Sequence, residues 1–312
     1  MTGITRFARL VLIVVLLTLC YTGAAAQTSS PRSITVVTKP GSAVWIDGVL
    51  FGKSNNEGRL VIRSVPPGNR TLRVRADGFK EVKKPLPVSA RGDMTVSVTQ
   101  PADEAELSFQ QAEALKATDR KNAIAAYENA IRLRPRYAEA LLELARVRSE
   151  SGDIEGAVKT ITALKRARPR WAEASTVEGR IYKDLDDEKR AVAAFKRAIT
   201  EGGGYQPEAY TGLGILYKEK AENAAAEGDF ASEATNYAEA ARYLAVAVRQ
   251  LTVSADAPVV YQLLGLIYER QKKFTEAIKL YEEFLSLFPD SIEASAVQSF
   301  IVQIKKQMSE PE

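Results

Sequence analysis

The hydrophobic and polar positions of this 312-residue chain follow two different periods. From Ser33 to about Gln100, apolar and polar residues alternate in short runs, with turn residues roughly 8–12 positions apart. This pattern predicts short β-strands packed as a small β-sandwich. From about Ala102 onward, apolar residues recur every third or fourth position, which predicts amphipathic helices. We therefore expect a multidomain protein in which an all-β domain precedes an all-α region.

The helical region repeats itself at a fixed interval. Its landmarks are spaced 34 residues apart: Ala123, Ala157 and Ala191; Tyr127, Ile161 and Phe195; and Pro135 with Pro169. A period of this size indicates a solenoid of stacked helix pairs. One pair cannot bury its apolar face alone, so successive pairs are expected to pack on each other.

The repeated residues resemble the tetratricopeptide repeat (TPR). The first helix of a pair carries a Leu-Gly-x-x-Tyr type signature, as in Leu213 to Tyr217 and Leu264 to Tyr268, and the second carries small and aromatic landmarks. The resemblance covers residues 102–289 and implies five helix pairs, at about 102–136, 137–170, 171–205, 206–255 and 256–289. The fourth pair contains an insertion around 220–237, which is expected to lengthen both of its helices by about two turns.

Residues 290–312 are expected to hold a capping helix and a tail. Such a helix shields the open end of a repeat array from water. Four apolar residues are expected to pack on the fifth pair: Ala296, Phe300, Ile301 and Ile304.

The β region, residues 33–100, resembles the PEGA domain. The resemblance rests on the run from Pro40 to Gly48 and on the pairs Pro67-Gly68 and Gly78-Phe79. Residues 56–68 also resemble the transthyretin-like regulatory modules of carboxypeptidases. Both families imply a β-sandwich without catalytic residues, and the PEGA resemblance implies attachment to an envelope or surface. Trp45 is expected in the sandwich core rather than as an exposed ligand platform.

The first 26 residues have the pattern of a cleaved signal peptide. Arg6 and Arg9 precede an apolar run from Leu10 to Leu19, and small residues end at Ala26. The apolar run is too short to cross a bilayer comfortably. A lipoprotein signal at Cys20 is the alternative, although such sites usually have a small residue where this chain has Leu19. Membrane attachment is expected only if Cys20 is lipidated, and the localisation is the periplasm, the cell envelope or the medium.

The composition argues against several classes of protein. The chain has no histidine, its one cysteine is Cys20, and its formal net charge is +4. It therefore lacks the commonest general base and the commonest metal ligand, and the charge is too balanced to suggest nucleic acid. We expect no cofactor, no metal site and no enzyme activity. A buried carboxylate pair in the groove would be the one plausible start for an enzyme.

The first helices of the pairs are expected to line a concave groove that binds a protein or peptide. By the register of the repeat, the candidate partner-binding residues are Leu142, Arg146, Arg180, Lys183, Ile215 and Lys218. The cations form a track that suits an extended acidic peptide. The lysine and asparagine set of the known carboxylate-clamp TPRs is absent, so that activity is not transferred.

Two functions follow from these expectations. The first is an exported, non-enzymatic scaffold or adaptor that binds a partner through its TPR groove, while the β domain attaches it to an envelope or surface. The alternative is binding of glycan or cell wall through the PEGA-like domain, with the TPR array as a spacer. Exposed aromatic side chains on one β face, Trp45 among them, would favour the alternative.

Overall fold

The computed structural model describes residues 32–101 and 103–309, so the predicted signal peptide lies outside the described residues. The β domain contains seven strands: β1 (Arg32–Val37), β2 (Ala43–Ile46), β3 (Val49–Lys53), β4 (Arg59–Val65), β5 (Arg70–Arg75), β6 (Val82–Leu86) and β7 (Gly92–Thr95). They form two sheets, of order β4-β1-β7 and β3-β2-β5-β6. Only the β1–β7 pair among these strands is parallel. The predicted all-β domain is confirmed.

The core of this domain lies between the two sheets. Alternate residues of the strands are buried there, among them Ile34, Val44, Ile46 and Leu72. Trp45 lies between two of them in β2, so its side chain points to the opposite face of the four-stranded sheet. The expectation that Trp45 belongs to the sandwich core is therefore wrong, because the pleat of the strand places it outside.

Eleven helices follow in the described residues. They are α1 (Glu104–Leu115), α2 (Arg120–Leu133), α3 (Ala138–Glu150), α4 (Ile154–Ala167), α5 (Ala172–Asp184), α6 (Glu188–Glu201), α7 (Pro207–Ala226), α8 (Phe230–Leu251), α9 (Ala257–Arg270), α10 (Phe274–Leu287) and α11 (Ala294–Ser309). The first ten form five antiparallel pairs, and the eleventh packs on α10. The solenoid predicted from the period of 34 is confirmed.

The second helix of most pairs begins with an aspartate cap. The carboxylates of Asp119, Asp153, Asp187 and Asp229 each accept a hydrogen bond from the backbone N–H three residues later. Such caps satisfy an amide that the helix itself leaves unpaired. Because the first three of these residues lie 34 apart, the same local signal sets where α2, α4 and α6 begin.

The fourth pair is longer than the others. Helices α7 and α8 contain 20 and 22 residues, whereas the other paired helices contain 12 to 14. The insertion thus extends both helices, as expected, and carries Phe230 at its tip with 73% of the side chain exposed. No helix in residues 32–101 and 103–309 combines the length and apolarity needed to span a bilayer.

The last helix packs as a cap, with one correction to the sequence prediction. Val297, Ile301 and Ile304 are buried, and the ring of Phe300 lies 5.9 Å from that of Tyr281. Ala296 is exposed. The predicted buried face was therefore one residue out of register at Ala296, because the apolar positions alone did not fix the rotation of the helix.

Contacts between small and aromatic residues hold consecutive pairs together. The Phe195 ring in α6 lies against Gly179 of α5 and Gly212 of α7. A Cβ atom added to either glycine would stand 2.5 to 2.6 Å from the ring, far inside van der Waals contact. The two glycines therefore let two neighbouring helices approach the same ring.

We expect Gly179→Ala to destabilise the array by about 1–3 kcal/mol through overpacking, despite the better helix propensity of alanine. Adding Phe195→Leu should restore part of the loss by removing ring atoms from the clash. Thermal unfolding followed by circular dichroism measures both. Equal or greater loss in the double variant would contradict the packing explanation.

Candidate partner-binding groove

The outer face of the four-stranded sheet lies against the first helices of the repeats. Three cations of this face make ion pairs across the domain boundary: Arg73 with Glu173 at 3.9 Å, Lys83 with Glu139 at 2.6 Å, and Arg75 with Glu113. All three carboxylates belong to first helices, namely α5, α3 and α1. The groove is therefore partly occupied by the protein's own β domain.

Other contacts extend this interface along the array. The Gln110 side chain donates a hydrogen bond to the Phe79 carbonyl at 2.9 Å, at the first repeat. After α8, the Ala255 N–H donates to the Leu50 carbonyl at 3.2 Å, and Thr252 Oγ1 donates to the Ser64 carbonyl at 3.0 Å. The buried apolar residues of the sandwich and of the last two repeats also form one continuous cluster. The β domain thus bridges the first and fourth repeats.

A network of ion pairs lies beneath the sheet. Both Arg146 and Arg180 bind Glu208, each through an Nη1–Oε1 contact of 3.1 Å. Lys116 binds Glu143 at 3.2 Å. Because the network joins α1, α3, α5 and α7, it connects all four first helices under the sheet.

The cations of this network stabilise the ionised form of its carboxylates. Burial disfavours ionisation of Glu143, but the positive charges of Lys116 and Arg146, helped by the cations of the sheet, outweigh it and lower its pKa to about 2. Burial likewise opposes the charge of Glu208, and the adjacent Arg146 holds its pKa below the ordinary value. Both carboxylates therefore remain ionised at neutral pH.

A cleft of about 750 Å³ remains between the sheet and the helices. Trp45, Arg73 and Arg75 form the wall on the β side, and Arg73 lies over the Trp45 ring at 4.4 Å. Val259 of α9 lines the cleft with 68% of its side chain exposed. This volume lies in the range of ordinary ligand sites, so the occupied groove keeps room for a further molecule.

The structure pairs the four predicted groove cations with carboxylates. Arg146 and Arg180 converge on Glu208, while Lys183 contacts Glu219 at 3.3 Å and Lys218 contacts Glu222 at 2.6 Å. The cations therefore do not form a continuous positive track. Their role in binding a partner stays a prediction.

The two predicted apolar residues are placed differently. Leu142 is 1% exposed and belongs to the core between the second and third repeats, so a partner cannot contact it in this arrangement. Ile215 on α7 is half-buried. Only Arg146 of the six predicted residues lines the cleft.

Sequence reasoning missed the residues that fill the groove. The alternation in Thr71 to Arg75 places Arg73 and Arg75 on one face of a strand, opposite the buried Leu72 and Val74. Two arginines on the solvent side of a small sandwich are a signal for an acidic partner surface. The alternation of residues in this strand did not show that the acidic surface belongs to the same chain.

The described residues contain no group of three or more Asp, Glu, His or Cys side chains that is arranged to hold a metal ion. The acidic side chains of the groove are instead paired with arginine and lysine.

Comparison with known proteins identifies the helical region. Three families described as tetratricopeptide repeat match residues 114–181, 172–201 and 258–291. The chain carries TPRs, and arrays of this fold present concave binding surfaces for proteins. The PEGA resemblance of the β domain stays a prediction. Comparison with curated proteins gave no match.

Solved structures show the same fold. Yeast Tom70 is 17% identical with a TM-score of 0.51, over 65% of this chain and 40% of that one. A thermophilic TPR protein of Thermus thermophilus is 19% identical with a TM-score of 0.46, over 64% of this chain and 98% of that one. The MamA protein is 20% identical with a TM-score of 0.44, over 61% and 94%.

The low pKa of Glu143 predicts an acid-sensitive structure. A carboxylate whose pKa is lowered by folding contributes stability above its unfolded value of 4.5, and this contribution disappears as the pH falls towards 2. We expect Glu143→Gln to lower the free energy of unfolding by about 1–3 kcal/mol at pH 7, because it removes the buried anion that Lys116 and Arg146 face, and to flatten the loss of stability between pH 4.5 and 2. Denaturant unfolding at stepped pH measures this.

The exposed Glu227 provides a matched control, since Glu227→Gln removes one carboxylate outside the groove. It should change neither the stability at pH 7 nor the acid limb. An acid limb that is as steep in Glu143→Gln as in the natural chain would contradict the assignment.

We expect the double variant Arg75→Glu/Lys83→Glu to release the β domain, since it places carboxylates opposite Glu113 and Glu139. Small-angle X-ray scattering should report a larger radius of gyration at unchanged helix content. Lys84→Glu is the control, because Lys84 is adjacent in β6 but bonds the Thr95 carbonyl within the β domain. A scattering curve identical to that of the natural chain would show that these ion pairs do not hold the domain.

Proposed function

We propose that this chain, whose helical region is a TPR solenoid, is an exported, non-enzymatic adaptor that binds a protein or peptide in its groove. The observation that carries the proposal is the occupied groove itself. The inner surface of the repeats already holds a folded domain through ion pairs and backbone hydrogen bonds, and a cleft of about 750 Å³ remains beside it. A surface that binds one protein domain has the chemistry needed to bind another.

The β domain has two roles in this proposal. It covers the middle of the groove, so a partner either enters the remaining cleft or displaces the sheet. Displacement requires the partner to compensate the cross-domain ion pairs, which favours a tightly binding partner over weak ones. The PEGA resemblance supports attachment of this domain to an envelope or surface component.

Export is supported by the N-terminal pattern alone. Arg6, Arg9, the apolar run from Leu10 and the small residues before Gln27 match a secretory signal. The proposed localisation is the periplasm, the cell envelope or the medium. The intact mass of the chain purified from its own cells checks this step, since processing after Ala26 gives a chain that begins at Gln27.

Glycan binding through an exposed aromatic face is less well supported. The β domain has three aromatic side chains, Trp45, Phe51 and Phe79, and none of them is exposed. Trp45 lies under Arg73 at the cleft, and Phe79 lies under Lys39. No flat aromatic platform is therefore open to a wall polymer in this arrangement.

The adaptor proposal predicts that opening the groove increases partner capture. Tagged chains are incubated with envelope extract, and the captured proteins are measured by quantitative mass spectrometry. Release of the sheet by Arg75→Glu/Lys83→Glu should raise capture of a groove-binding protein at least tenfold. A short cross-linker between Lys83→Cys and Glu139→Cys, in a Cys20→Ser background, should hold the sheet in place and suppress capture.

A second pair of variants tests the predicted groove cations. Lys183→Glu/Lys218→Glu should weaken capture by the opened chain if the partner is acidic. Lys220→Glu is the matched control, because Lys220 also lies on α7 but pairs with Glu188 of α6. Arg146 is unsuitable for reversal, since its buried position beside Glu173 and Glu208 would destabilise the array. Capture of wall glycan alone, independent of all these variants, would contradict the adaptor proposal.

A further inference from the structure

Two of the connections between consecutive repeats share a sequence motif but have different surroundings. Arg134-Pro135-Arg136-Tyr137 joins α2 to α3, and Arg168-Pro169-Arg170-Trp171 joins α4 to α5, 34 residues later. Each motif ends with an aromatic residue at the start of a helix, and each first arginine lies over that aromatic ring, at 4.3 and 4.2 Å. The first copy of the motif can therefore be compared with the second within the same chain.

The first arginine and the aromatic residue of the first motif have close partners. Arg134 binds both carboxylate oxygens of Asp103 at 2.9 Å. The Tyr137 hydroxyl donates a hydrogen bond to the buried Glu106 at 2.6 Å. The charge of Arg134 is therefore neutralised in this copy.

The second motif is less completely neutralised. Arg168 has an ion pair with Glu139 at 3.9 Å, a long contact, and Glu139 binds Lys83 more closely at 2.6 Å. The N-cap of α5, Trp171, provides no side-chain hydrogen bond to the helix, and neither does Tyr137 before α3. The first backbone amides of α5 thus have no side-chain cap, in contrast to the helices that follow a capping aspartate.

The docked β domain turns this second motif into a pocket. A cavity of about 350 Å³ lies between the sheet and the start of α5. Five cations line it: Arg70, Arg73, Lys83, Arg168 and Arg170. Three carboxylates line it as well: Asp47, Glu173 and Glu201. The charged lining is therefore net positive by two.

The carboxylates of the pocket already have partners. Asp47 binds Arg70 at 3.2 Å, Glu201 accepts a hydrogen bond from Ser175 Oγ at 2.6 Å, and Glu173 lies 3.7 Å from Arg146. Outside the pocket, Glu139 pairs with both Lys83 and Arg168, and Glu173 also lies 3.9 Å from Arg73. The excess positive charge is thus carried mainly by the second motif.

Arg73 is weakly paired in the wall of the pocket. The residue is 9% exposed, its ion pair with Glu173 is long at 3.9 Å, and its Nε–H has no hydrogen-bond partner among the described residues. The Nε atom itself is inaccessible, so a ligand in the pocket would meet the terminal nitrogens of the guanidinium.

We propose that this pocket binds a phosphate group, either free or carried on a larger molecule. Guanidinium groups match the oxygens of phosphate in pairs, and the start of a helix offers backbone N–H groups to an anion. The net positive lining also favours a phosphate monoester, which carries about −1.5 to −2 at pH 7, over an anion of lower charge. A carboxylate satisfies fewer of these donors and half of this charge.

The site exists only when the β domain is docked. Arg70, Arg73 and Lys83 come from the sheet, whereas Arg168, Arg170 and the start of α5 come from the repeats. A ligand held by both parts stabilises the docked arrangement, and docking in turn raises the affinity for the ligand. A bound phosphate therefore also holds the sheet over the groove and limits access to it. The phosphate site itself does not depend on the adaptor function.

Titration of the full chain with inorganic phosphate tests the proposal. In a Trp45→Phe background, Trp171 is the single tryptophan of the chain and reports on the pocket through its fluorescence. Titrations at constant ionic strength with phosphate, glycerol 3-phosphate and acetate separate the ligand classes. We expect saturable binding of phosphate, and at least tenfold weaker binding of acetate. Tighter binding of the ester would identify a phosphate carried on a larger molecule.

Matched variants locate the site. Arg168→Gln/Arg170→Gln should weaken phosphate binding at least tenfold, and Arg73→Lys, which replaces the guanidinium in the pocket wall but keeps the charge, should also weaken it. The equivalent change in the preceding repeat, Arg134→Gln/Arg136→Gln, should leave the affinity within twofold. Isothermal calorimetry gives the same comparison with tryptophan unchanged, and circular dichroism verifies folding.

Three results would overturn the proposal. The first is the absence of saturable phosphate binding to the full chain at millimolar concentrations. The second is an equal loss of affinity in the two arginine pairs, which would mean general attraction to a basic surface. The third is equal binding of acetate and phosphate, which would reject the phosphate class in favour of any small anion.

Discussion

The relative position of the two domains depends on the neutralisation of the arginines on the sheet by carboxylates of the groove. Arg73 and Arg75 are almost completely buried, and a buried charge is tolerated only when it is paired. The desolvation of such pairs offsets most of their attraction, so they contribute more to the choice of geometry than to net stability. This requirement fixes which face of the sandwich meets the repeats and in what register.

That arrangement determines what the groove offers to other molecules. An empty TPR array exposes its first helices along their whole length, whereas here the sheet covers the middle of them. The apolar cluster shared by the sandwich and the last repeats adds non-polar contact to the ion pairs. The cleft beside Trp45 and the pocket beside Trp171 both lie where the outer face of the four-stranded sheet meets the helices. Both are shared between the two domains, so both respond to any movement of the sheet.

The scaffold character of the protein follows from the same physics. Stacked helix pairs depend on their neighbours, and the Phe195 ring between Gly179 and Gly212 shows how little space separates them. The packing of the core is close and repeats from pair to pair, whereas the surfaces of the pairs differ. The long hairpin of α7 and α8 projects beyond the other pairs, with Phe230 exposed at its tip. The molecule thus combines a regular array of helix pairs with individual surface features such as this hairpin.

The sequence by itself determined the local and periodic features of this protein. The period of 34 predicted the helix pairs, the alternation of apolar residues predicted the strands, and the extra residues around 220–237 predicted the long hairpin, because these features depend on contacts that are near in sequence or repeated. The burial of Ala296 in α11 and the face of Trp45 were predicted wrongly, since more than one rotation or face suits the same short pattern.

Only the tertiary structure decided the state of the groove. Arg146 was predicted as a free cation for a partner, but Glu208, 62 residues away in the chain, approaches it to 3.1 Å. Arg73 and Glu173 are 100 positions apart in the sequence and meet only because the sheet folds back onto the repeats. A charged residue shows its type in the sequence but not its partner, because pairing depends on how distant segments approach. For this reason the sequence identified a binding scaffold, while the structure showed that its own β domain already occupies the binding surface.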